Sequence, residues 1–221
     1  AGPLRRPLLF WGTRMRTYVY IDGFNLYYRA LKGTPWKWLD LMALFKTVLQ
    51  SHHRIECIKY FTARVSATPD DPSKPQRQDV YLRALERHIP EFEVHFGHFL
   101  THRVRAPLAK PTGGKRFVEI IKTEEKGSDV NLAVHLLNDA WLDRYDCAIV
   151  VSNDSDLAES MRLVKEQSGK IIGLTTPGTS HPSRQLLRHS DFARHIRVSA
   201  LRSRQLPNPI PGTKIRKPDR W

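Results

Sequence analysis

The sequence predicts an α/β fold, a three-layer α/β/α sandwich of Rossmann-like type around a mostly parallel central sheet. Short apolar runs, rich in β-branched and aromatic residues, alternate along the chain with amphipathic stretches of helical spacing. Strands that alternate with helices form right-handed βαβ crossovers, which place helices on both faces of a parallel sheet. An apolar share of 40% is ample for the core of such a fold.

The first half of the chain contains three predicted strands and three predicted helices. Residues 18–21 and 55–65 are short runs rich in Ile, Val, Tyr and Phe, which is typical of buried strands. Helices are predicted where apolar residues recur at helical spacing, and the last of them ends before Pro90 because proline cannot continue a helix. The strands are 18–21, 55–65 and 92–100, and the helices are 25–31, 39–49 and 76–89.

The second half begins with a segment rich in Pro, Gly and Lys, residues 104–117, which predicts a mobile hairpin with its turn at 112–114. From residue 206, four prolines and scattered Arg and Lys predict an unstructured basic tail. Between these segments the pattern alternates again, and Gly169 stops one helix. The strands are 117–122, 148–152, 170–176 and 195–198, and the helices are 128–142, 157–167 and 182–189.

The chain has 221 residues and a net charge of +14, which favours an anionic partner such as nucleic acid. Nine of these positive charges lie in residues 1–16 and 199–221, so solvated basic ends would also explain much of the excess. We predict one domain over residues 16–198, between a basic N-terminal extension at 1–15 and a basic, proline-rich C-terminal tail at 199–221.

Two cysteines, Cys57 and Cys147, both lie in apolar strand-like runs, which predicts buried free thiols and a reducing compartment. No run approaches the roughly 20 apolar residues that a membrane helix needs. The apolar patch after Arg6 is too short for a secretory signal. We therefore expect a cytoplasmic protein with no membrane partner.

Four aspartates fall where a parallel sheet would bring them together. Asp22 ends the first strand, Asp154 and Asp156 follow the strand at 148–152, and Asp129 opens a helix. Ligands of parallel α/β sheets bind at the carboxyl ends of the strands, and geometry places Asp22 and Asp154 on that same edge. Carboxylates gathered in a basic protein indicate a hard divalent cation, Mg²⁺ or Mn²⁺, that faces a phosphate backbone.

Each of these residues also has a purely structural explanation. Asp22 before Gly23 is a common turn residue, and Asp129 or Asp154 is a common helix cap. Asn25 would orient a water or ligate through its amide oxygen, and its structural explanation is another helix cap. The joint placement of four carboxylates at two strand ends and one helix start is less easily explained by capping.

Three motifs resemble the NYN domains of the PIN-like nuclease superfamily, in particular the LabA-like branch. They are Tyr20-Ile-Asp-Gly-Phe-Asn25, Glu125-Lys-Gly-Ser-Asp-Val-Asn-Leu-Ala133 and Ser152-Asn-Asp-Ser-Asp-Leu157. Each motif alone is weak, but all three occur in order and in the right α/β context over residues 16–198. Family members commonly have Gly and Phe where this chain has Asn153 and Leu157, and neither change removes a carboxylate.

The resemblance implies a divalent-metal-dependent ribonuclease that hydrolyses RNA and leaves a 5′-phosphate and a 3′-hydroxyl. It implies Asp22, Asp129, Asp154 and Asp156 as catalytic and metal-binding residues, with Asn25 as their catalytic companion. A homodimer is implied on family grounds only. The residues expected to contact the RNA, as a single strand, are Lys126, Tyr28, Arg29, Ser152 and Asn153.

Three other functions fit parts of the pattern. A non-catalytic RNA-binding module would show the same charge, aromatics and fold, and only turnover separates it from a nuclease. A nuclease for single-stranded or flap DNA is also compatible, because recognition of the 2′-hydroxyl leaves no readable motif. A phosphatase of the aspartyl-phosphate type would place a second Asp two residues after Asp22, and Phe24 at that position counts against it.

Overall fold

The computed structural model describes residues 14–178 and 181–220. Its centre is a seven-stranded sheet of order β4-β3-β2-β1-β5-β6-β7, in which β3 and β4 are antiparallel and the other neighbours are parallel. Helices flank the sheet, so the predicted three-layer α/β sandwich is confirmed. The strands are β1 Met15–Asp22, β2 His53–Ala63, β3 Phe92–Thr112, β4 Lys115–Lys126, β5 Cys147–Val151, β6 Ile171–Thr176 and β7 Phe192–His195.

The helices occupy the positions between the strands, and three irregular turns adjoin two of them. A π turn, Tyr27–Leu31, extends α1; a 3₁₀ turn, Ser155–Leu157, precedes α5, and a π turn, Val164–Ser168, follows it. The helices are α1 Gly23–Leu26, α2 Leu41–Val48, α3 Lys74–His88, α4 Ser128–Trp141, α5 Ala158–Leu163, α6 Arg184–Arg188 and α7 Val198–Ser203.

The strand order reverses at β1, which lies between β2 and β5. From β1 the chain builds outward to β2 and β3, and later returns to the other side of β1 to build β5, β6 and β7. The carboxyl ends of β1 and β5 therefore flank the crevice where open α/β sheets bind their ligands. Ile21 pairs with Val151, which brings Asp22 beside Ser152.

The predicted hairpin at 104–117 is part of a longer β-hairpin, and its turn lies at Gly113-Gly114. The strand β3 pairs with β2 only as far as Gly97, and from His98 onward it pairs with β4. The strands of the hairpin are longer than predicted because Pro107 and the neighbouring prolines and lysines resemble loop composition. Exposed and half-buried residues alternate over 101–108, which is the period-2 pattern of a strand.

The prediction of an unstructured C-terminal tail is wrong for residues 206–220. The amide of Leu206 donates to the Trp38 carbonyl at 2.8 Å, the Trp38 indole donates to the Pro207 carbonyl at 3.2 Å, and Ile210 is buried in the core. Prolines exclude regular structure here, but they do not prevent the apolar residues between them from packing. The predicted edge strand at 195–198 is also displaced, since β7 ends at His195 and α7 begins at Val198.

Two hydrophobic clusters fill the two faces of the sheet. One gathers around α2, α3 and α7, with Trp38 and Phe45 among its largest buried side chains, and the other gathers around α4 and α5. The predicted burial of the free thiols Cys57 and Cys147 is confirmed. The predicted extension at 1–15 falls almost entirely outside the described residues, except that Met15 already belongs to β1. In the described ranges, no helix has the length and apolar character to span a membrane.

Candidate active site

Asp22 is held rigidly at the carboxyl end of β1. Its Oδ1 accepts a hydrogen bond from the Asn25 amide, and its Oδ2 accepts one from the Ser152 hydroxyl, both at 2.8 Å. The chain turns here because residue 23 is glycine, since a Cβ would lie 2.7 Å from the Tyr60 ring and 2.8 Å from the Phe61 carbonyl oxygen. Burial, together with the nearby charge of Asp154, raises the pKa of Asp22, and its hydrogen bonds oppose that shift.

Asp154 follows β5 and is tied to the first motif through its neighbours. Its amide donates to the Ser152 hydroxyl at 3.0 Å, and its Oδ1 caps the amide of Asp156 at 3.0 Å. The Asn153 amide donates to the Asn25 side-chain oxygen at 3.2 Å. Asp22 and Asp154 therefore act as caps and also lie at one sheet edge, so the two explanations considered for them do not exclude each other.

Asn153, at the position where the resembling domains commonly have glycine, fixes a neighbouring loop. Its side-chain nitrogen donates to the His181 carbonyl at 3.1 Å, and its side-chain oxygen accepts from the Ser183 amide at 2.7 Å. The side chain is thus engaged in holding the approach to α6. Like the side chain of Ser152, it positions the site rather than lining the cleft.

Asp129 lies in the first turn of α4, and the capping explanation does not apply to it. The N-cap is Gly127, whose φ of 93° is in the left-handed region that glycine adopts readily. Burial raises the pKa of Asp129 to about 6, and the charges of Asp22 and Asp154 add to this shift. Burial and neighbouring negative charges disfavour the ionised form of a carboxyl group, and a cation bound nearby would stabilise that form.

Glu125 is a fourth carboxylate of this cleft that the sequence reasoning did not single out. Its Oε1 accepts from the Ser128 amide at 3.0 Å and its Oε2 from the Ser128 hydroxyl at 2.7 Å. Its place depends on Gly97, because a Cβ there would lie 2.5 Å from Oε1 of Glu125. The available signal was its position at the start of the motif that contains Asp129.

The predicted site residues divide into those that line one cleft and those that do not. The cleft has a volume of about 310 Å³, and four carboxylates and one guanidinium are among its walls. Asp156 is exposed outside this lining, and the Lys126 ammonium lies 3.6 Å from Glu124 instead of facing the cleft. The lining residues are Asp22, Phe24, Asn25, Tyr28, Arg29, Phe99, Glu125, Ser128, Asp129 and Asp154.

The donor set of the cleft fits a hard divalent cation. All the anionic groups are carboxylates, which Mg²⁺ and Mn²⁺ prefer, and burial, together with the repulsion between them, raises the pKa of Asp22 and of Asp129. Within residues 14–178 and 181–220, no three His, Cys, Asp or Glu side chains form a ready-made metal cage. Mg²⁺ is commonly held by only one or two carboxylates plus waters and substrate phosphates, so a cage is not required.

The raised pKa of Asp129 predicts how the stability of the metal-free protein depends on pH. Its folded-state pKa of about 6 exceeds the ordinary aspartate value of 3.8, so ionisation costs stability as pH rises through this window. Because the group is only partly buried, we expect Asp129→Asn to stabilise the protein in EDTA at pH 7.5 by about 1 kcal/mol. Thermal unfolding should show a midpoint increase of about 2–4 °C.

A control with the opposite sign accompanies that measurement. The hydrogen bond from Arg16 lowers the pKa of Asp146, so Asp146→Asn should lower the unfolding midpoint at pH 7.5. The gain from Asp129→Asn should shrink toward zero near pH 3, where the carboxyl is mostly protonated in both the folded and the unfolded state, and should disappear when Mn²⁺ is added. An equal gain at pH 3 and pH 7.5 would contradict the electrostatic explanation.

The fold and the cleft together define an α/β protein with an acidic site at the switch point of its sheet. The sequence places it further, because residues 16–192 match the family model described as the NYN domain. The chain therefore belongs to the NYN domain family, and the resemblance noted from its three motifs is confirmed. This family assignment gives the protein a nuclease-type fold.

Two known proteins are similar over most of the chain. HspA of Pseudomonas putida (strain DSM 28022 / S16), named 6-hydroxy-3-succinoylpyridine 3-monooxygenase, is 34% identical over 238 residues, which cover 94% of this chain and 75% of HspA. A crystal structure of a protein of unknown function, VPA0982 from Vibrio parahaemolyticus RIMD 2210633, matches with a TM-score of 0.52 and 18% identity. That match covers 84% of this chain and 95% of the other, and at this identity it shows the fold alone.

Proposed function

We propose that the protein is a divalent-metal-dependent endoribonuclease that hydrolyses single-stranded RNA. The observation that carries the proposal is the convergence of Asp22, Glu125, Asp129 and Asp154 on one cleft of a chain with a net charge of +14. Carboxylates that are buried or half-buried beside one another are unfavourable unless a cation joins them. A basic protein with such a pocket is suited to a phosphate backbone that brings its own negative charge.

In this proposal Asp22, Asp129 and Asp154 hold Mg²⁺ or Mn²⁺, with Glu125 at the border of the same cleft. The cation, when bound, supplies Lewis-acid stabilisation of the charge that develops on the phosphate oxygens. Asn25 holds the two sheet-edge motifs together through its bond from the Asn153 amide. The family resemblance and the position of this cleft support the assignment.

The other side of the cleft is suited to the nucleic acid. Phe24 and Tyr28 stack with ring centroids 6.4 Å apart, and the exposed Tyr28 ring also lies under the Lys32 ammonium at 4.9 Å. Bases stack on such rings without sequence preference, while Arg29 in the same lining pairs with phosphate. Asp156 and Lys126 lie outside the lining of the cleft. They would take part only if the site rearranged, or by contacting a part of the bound RNA that extends beyond the cleft.

The test is cleavage of a circular single-stranded RNA by purified protein in Mn²⁺, Mg²⁺ or EDTA. A circle has no ends, so its cleavage demonstrates endonucleolytic action. We expect metal-dependent cutting that Asp154→Asn removes and that Asp70→Asn, the same change on an exposed loop, leaves intact. Equal cutting by wild type and Asp154→Asn would identify a contaminating nuclease and refute the assignment.

A parallel reaction with single-stranded and flap DNA decides between RNA and DNA. Binding of RNA without turnover in any metal would instead support the non-catalytic RNA-binding module. Both alternatives use the same protein preparations and the same Asp154→Asn control. The 2′-hydroxyl is the group that distinguishes the two nucleic acids.

A second candidate function is hydroxylation of a pyridine ring, which the similarity to HspA over 94% of the chain favours. A monooxygenase inserts one atom of O₂ into its substrate and reduces the other to water with two electrons from a reductant such as a reduced nicotinamide. Oxygen uptake with 6-hydroxy-3-succinoylpyridine and NADH tests this function. Uptake that depends on the substrate, together with inert RNA, would replace the nuclease proposal.

A further inference from the structure

A second cavity adjoins the acidic cleft and differs from it in chemistry. It has a volume of about 120 Å³ and lies between α1 with its π turn, the end of β2 and the start of α3. Phe24 and Tyr28 line both cavities, so their stacked rings form the partition between them. We call this cavity the aromatic pocket, after Phe24, Tyr27, Tyr28, Tyr60 and Tyr81 in its lining.

The rings of the aromatic pocket are arranged to enclose a flat ligand. Tyr27 and Tyr28 meet edge to face, with centroids 5.2 Å apart and an interplanar angle of 79°. Tyr60 and Tyr81 are buried and Tyr28 is exposed, so the aromatic lining runs from the protein interior to the surface. An apolar cavity of about 150 Å³ accepts benzene. The aromatic pocket is therefore of the size for a single six-membered ring rather than for a fused ring system.

The charged groups of the aromatic pocket are all cations. Lys37, Lys74 and Arg77 line it, and no Asp or Glu appears among the described residues of its wall. Arg77 forms an ion pair with Asp71, whereas no ion pair joins Lys37 or Lys74 to an acid within the described ranges. Burial, and the positive charges of Arg77 and Lys217, lower the pKa of Lys37. The mouth of the pocket is thus suited to an anion.

The Thr62 hydroxyl can offer a ligand of the aromatic pocket a hydrogen bond. This side chain is buried, and the two contacts of its hydroxyl, with the Ala63 carbonyl and the Gln78 side chain, are both long at 3.5 Å. Gln78 itself is held in place, because it donates to the Ala63 carbonyl at 2.9 Å and accepts from the Val65 amide at 2.9 Å. Because both contacts are long, this hydroxyl can exchange them for a shorter hydrogen bond to the edge of a heteroaromatic ring that enters the pocket.

We propose that the aromatic pocket binds a six-membered heteroaromatic ring that carries an anionic group, and that this ligand is a pyrimidine nucleotide of the strand being cut. The base enters between the aromatic side chains, its polar edge meets Thr62, and its phosphate lies at Lys37 and Lys74. This inference rests on the proposed function, because the nucleotide is part of the RNA that the proposed nuclease binds. A free heteroaromatic acid has the same ring and charge, and is the other source of this chemistry.

Binding of small ligands tests the aromatic pocket without any cleavage. Calorimetry with uridine 5′-monophosphate should show binding that the double variant Lys37→Gln/Lys74→Gln weakens by at least about tenfold. The matched double variant Lys46→Gln/Lys214→Gln removes two exposed lysines outside the lining and should stay within about twofold of wild type. Val65→Phe, which places a ring in the cavity, should abolish binding.

The outcomes separate the two sources and the two proposals. Binding of pyridine-3-carboxylate but not of uridine monophosphate would overturn the nucleotide assignment. Binding of neither, or equal binding by Val65→Phe and wild type, would overturn the pocket itself. If uridine monophosphate binds as expected while RNA stays intact in every metal, the pocket stands and the nuclease proposal fails.

The second test places the aromatic pocket next to the scissile phosphate. In an RNA with one mapped cut, each base in turn is replaced by an abasic unit. One position beside the cut should show a raised KM with a pyrimidine preference, and Val65→Phe should lose that sensitivity. A scan that is flat at every position, in an RNA that is cut normally, would overturn the pocket as a base site.

Discussion

Replacing Asp22 with asparagine is expected to reduce RNA cleavage at least about 100-fold while leaving the protein folded. Asn25 and Ser152 both bond to Asp22 at 2.8 Å. An asparagine preserves these contacts, because its oxygen accepts from the Asn25 amide and the Ser152 hydroxyl rotates to accept from its nitrogen. The change therefore removes the negative charge from the cleft and little else.

Asp40 provides a matched control for the change at Asp22. Asp40 is a buried helix cap like Asp22, and its Oδ1 accepts from the Ala43 amide at 2.9 Å, but it lies outside the acidic cleft. Asp40→Asn should keep the cleavage rate within about twofold of wild type, since asparagine caps a helix about as well as aspartate does. Single-turnover cleavage at saturating Mn²⁺ and circular dichroism of both variants make the comparison.

If Asp22→Asn and Asp40→Asn lose activity equally, the loss at Asp22 reflects helix capping rather than its place in the cleft. If neither variant loses activity, the carboxylate is dispensable and the site is wrongly placed. Raising the Mn²⁺ concentration should partly restore Asp22→Asn, because the remaining carboxylates still attract the ion. Such a rescue is not expected for a residue that acts only through folding.

The sequence predicted the sheet edge well because its evidence is local. A buried apolar run followed by Asp-Gly indicates both where β1 ends and that its last carboxylate faces the ligand side of the sheet. The same reasoning placed Asp154 correctly after β5, and the register of Ile21 with Val151 brings the two motifs together. Element boundaries in this region differ from the prediction by only a few residues.

The features that the sequence did not reveal depend on contacts between distant residues. Glu125 reaches the cleft only because Gly97, 28 positions earlier, leaves room for it. The full length of the β3–β4 hairpin was not predicted, because prolines such as Pro107 interrupt the strand pattern while the pairing itself is made through the backbone. Ile210 is buried by Trp38 and its neighbours, and nothing in a proline-rich segment indicates which apolar residue will find such a partner.

A buried ion pair that periodicity also could not reveal joins α4 to the sheet. Asp139 accepts from the Lys59 ammonium at 2.6 Å and from the Tyr20 hydroxyl at 2.8 Å through Oδ2, and from Arg144 at 3.0 Å through Oδ1. Both Asp139 and Lys59 are almost fully inaccessible to solvent. The pair and the Tyr20 hydroxyl link β1, β2 and α4, and of these β1 and α4 carry carboxylates of the acidic cleft.

Asp139→Ala is expected to lower the free energy of unfolding by about 3–5 kcal/mol, because it leaves the Lys59 charge buried without a partner. The double variant Lys59→Met/Asp139→Leu should lose much less, since apolar residues of similar volume need no compensation. Arg144→Gln, which removes only the half-exposed partner, should cost about 1 kcal/mol or less. Urea unfolding of the three variants gives these values from transition midpoints and slopes.

The order of these three losses decides what the ion pair contributes. Equal losses for Asp139→Ala and the double variant would mean that the pair is a net source of stability, contrary to the desolvation argument. The expected order would instead mean that the pair serves mainly to position α4. Asp129 lies at the opposite end of this helix from Asp139. In that case the double variant folds stably, and a change in its KM for Mn²⁺ would show that Asp129 has moved relative to Asp22.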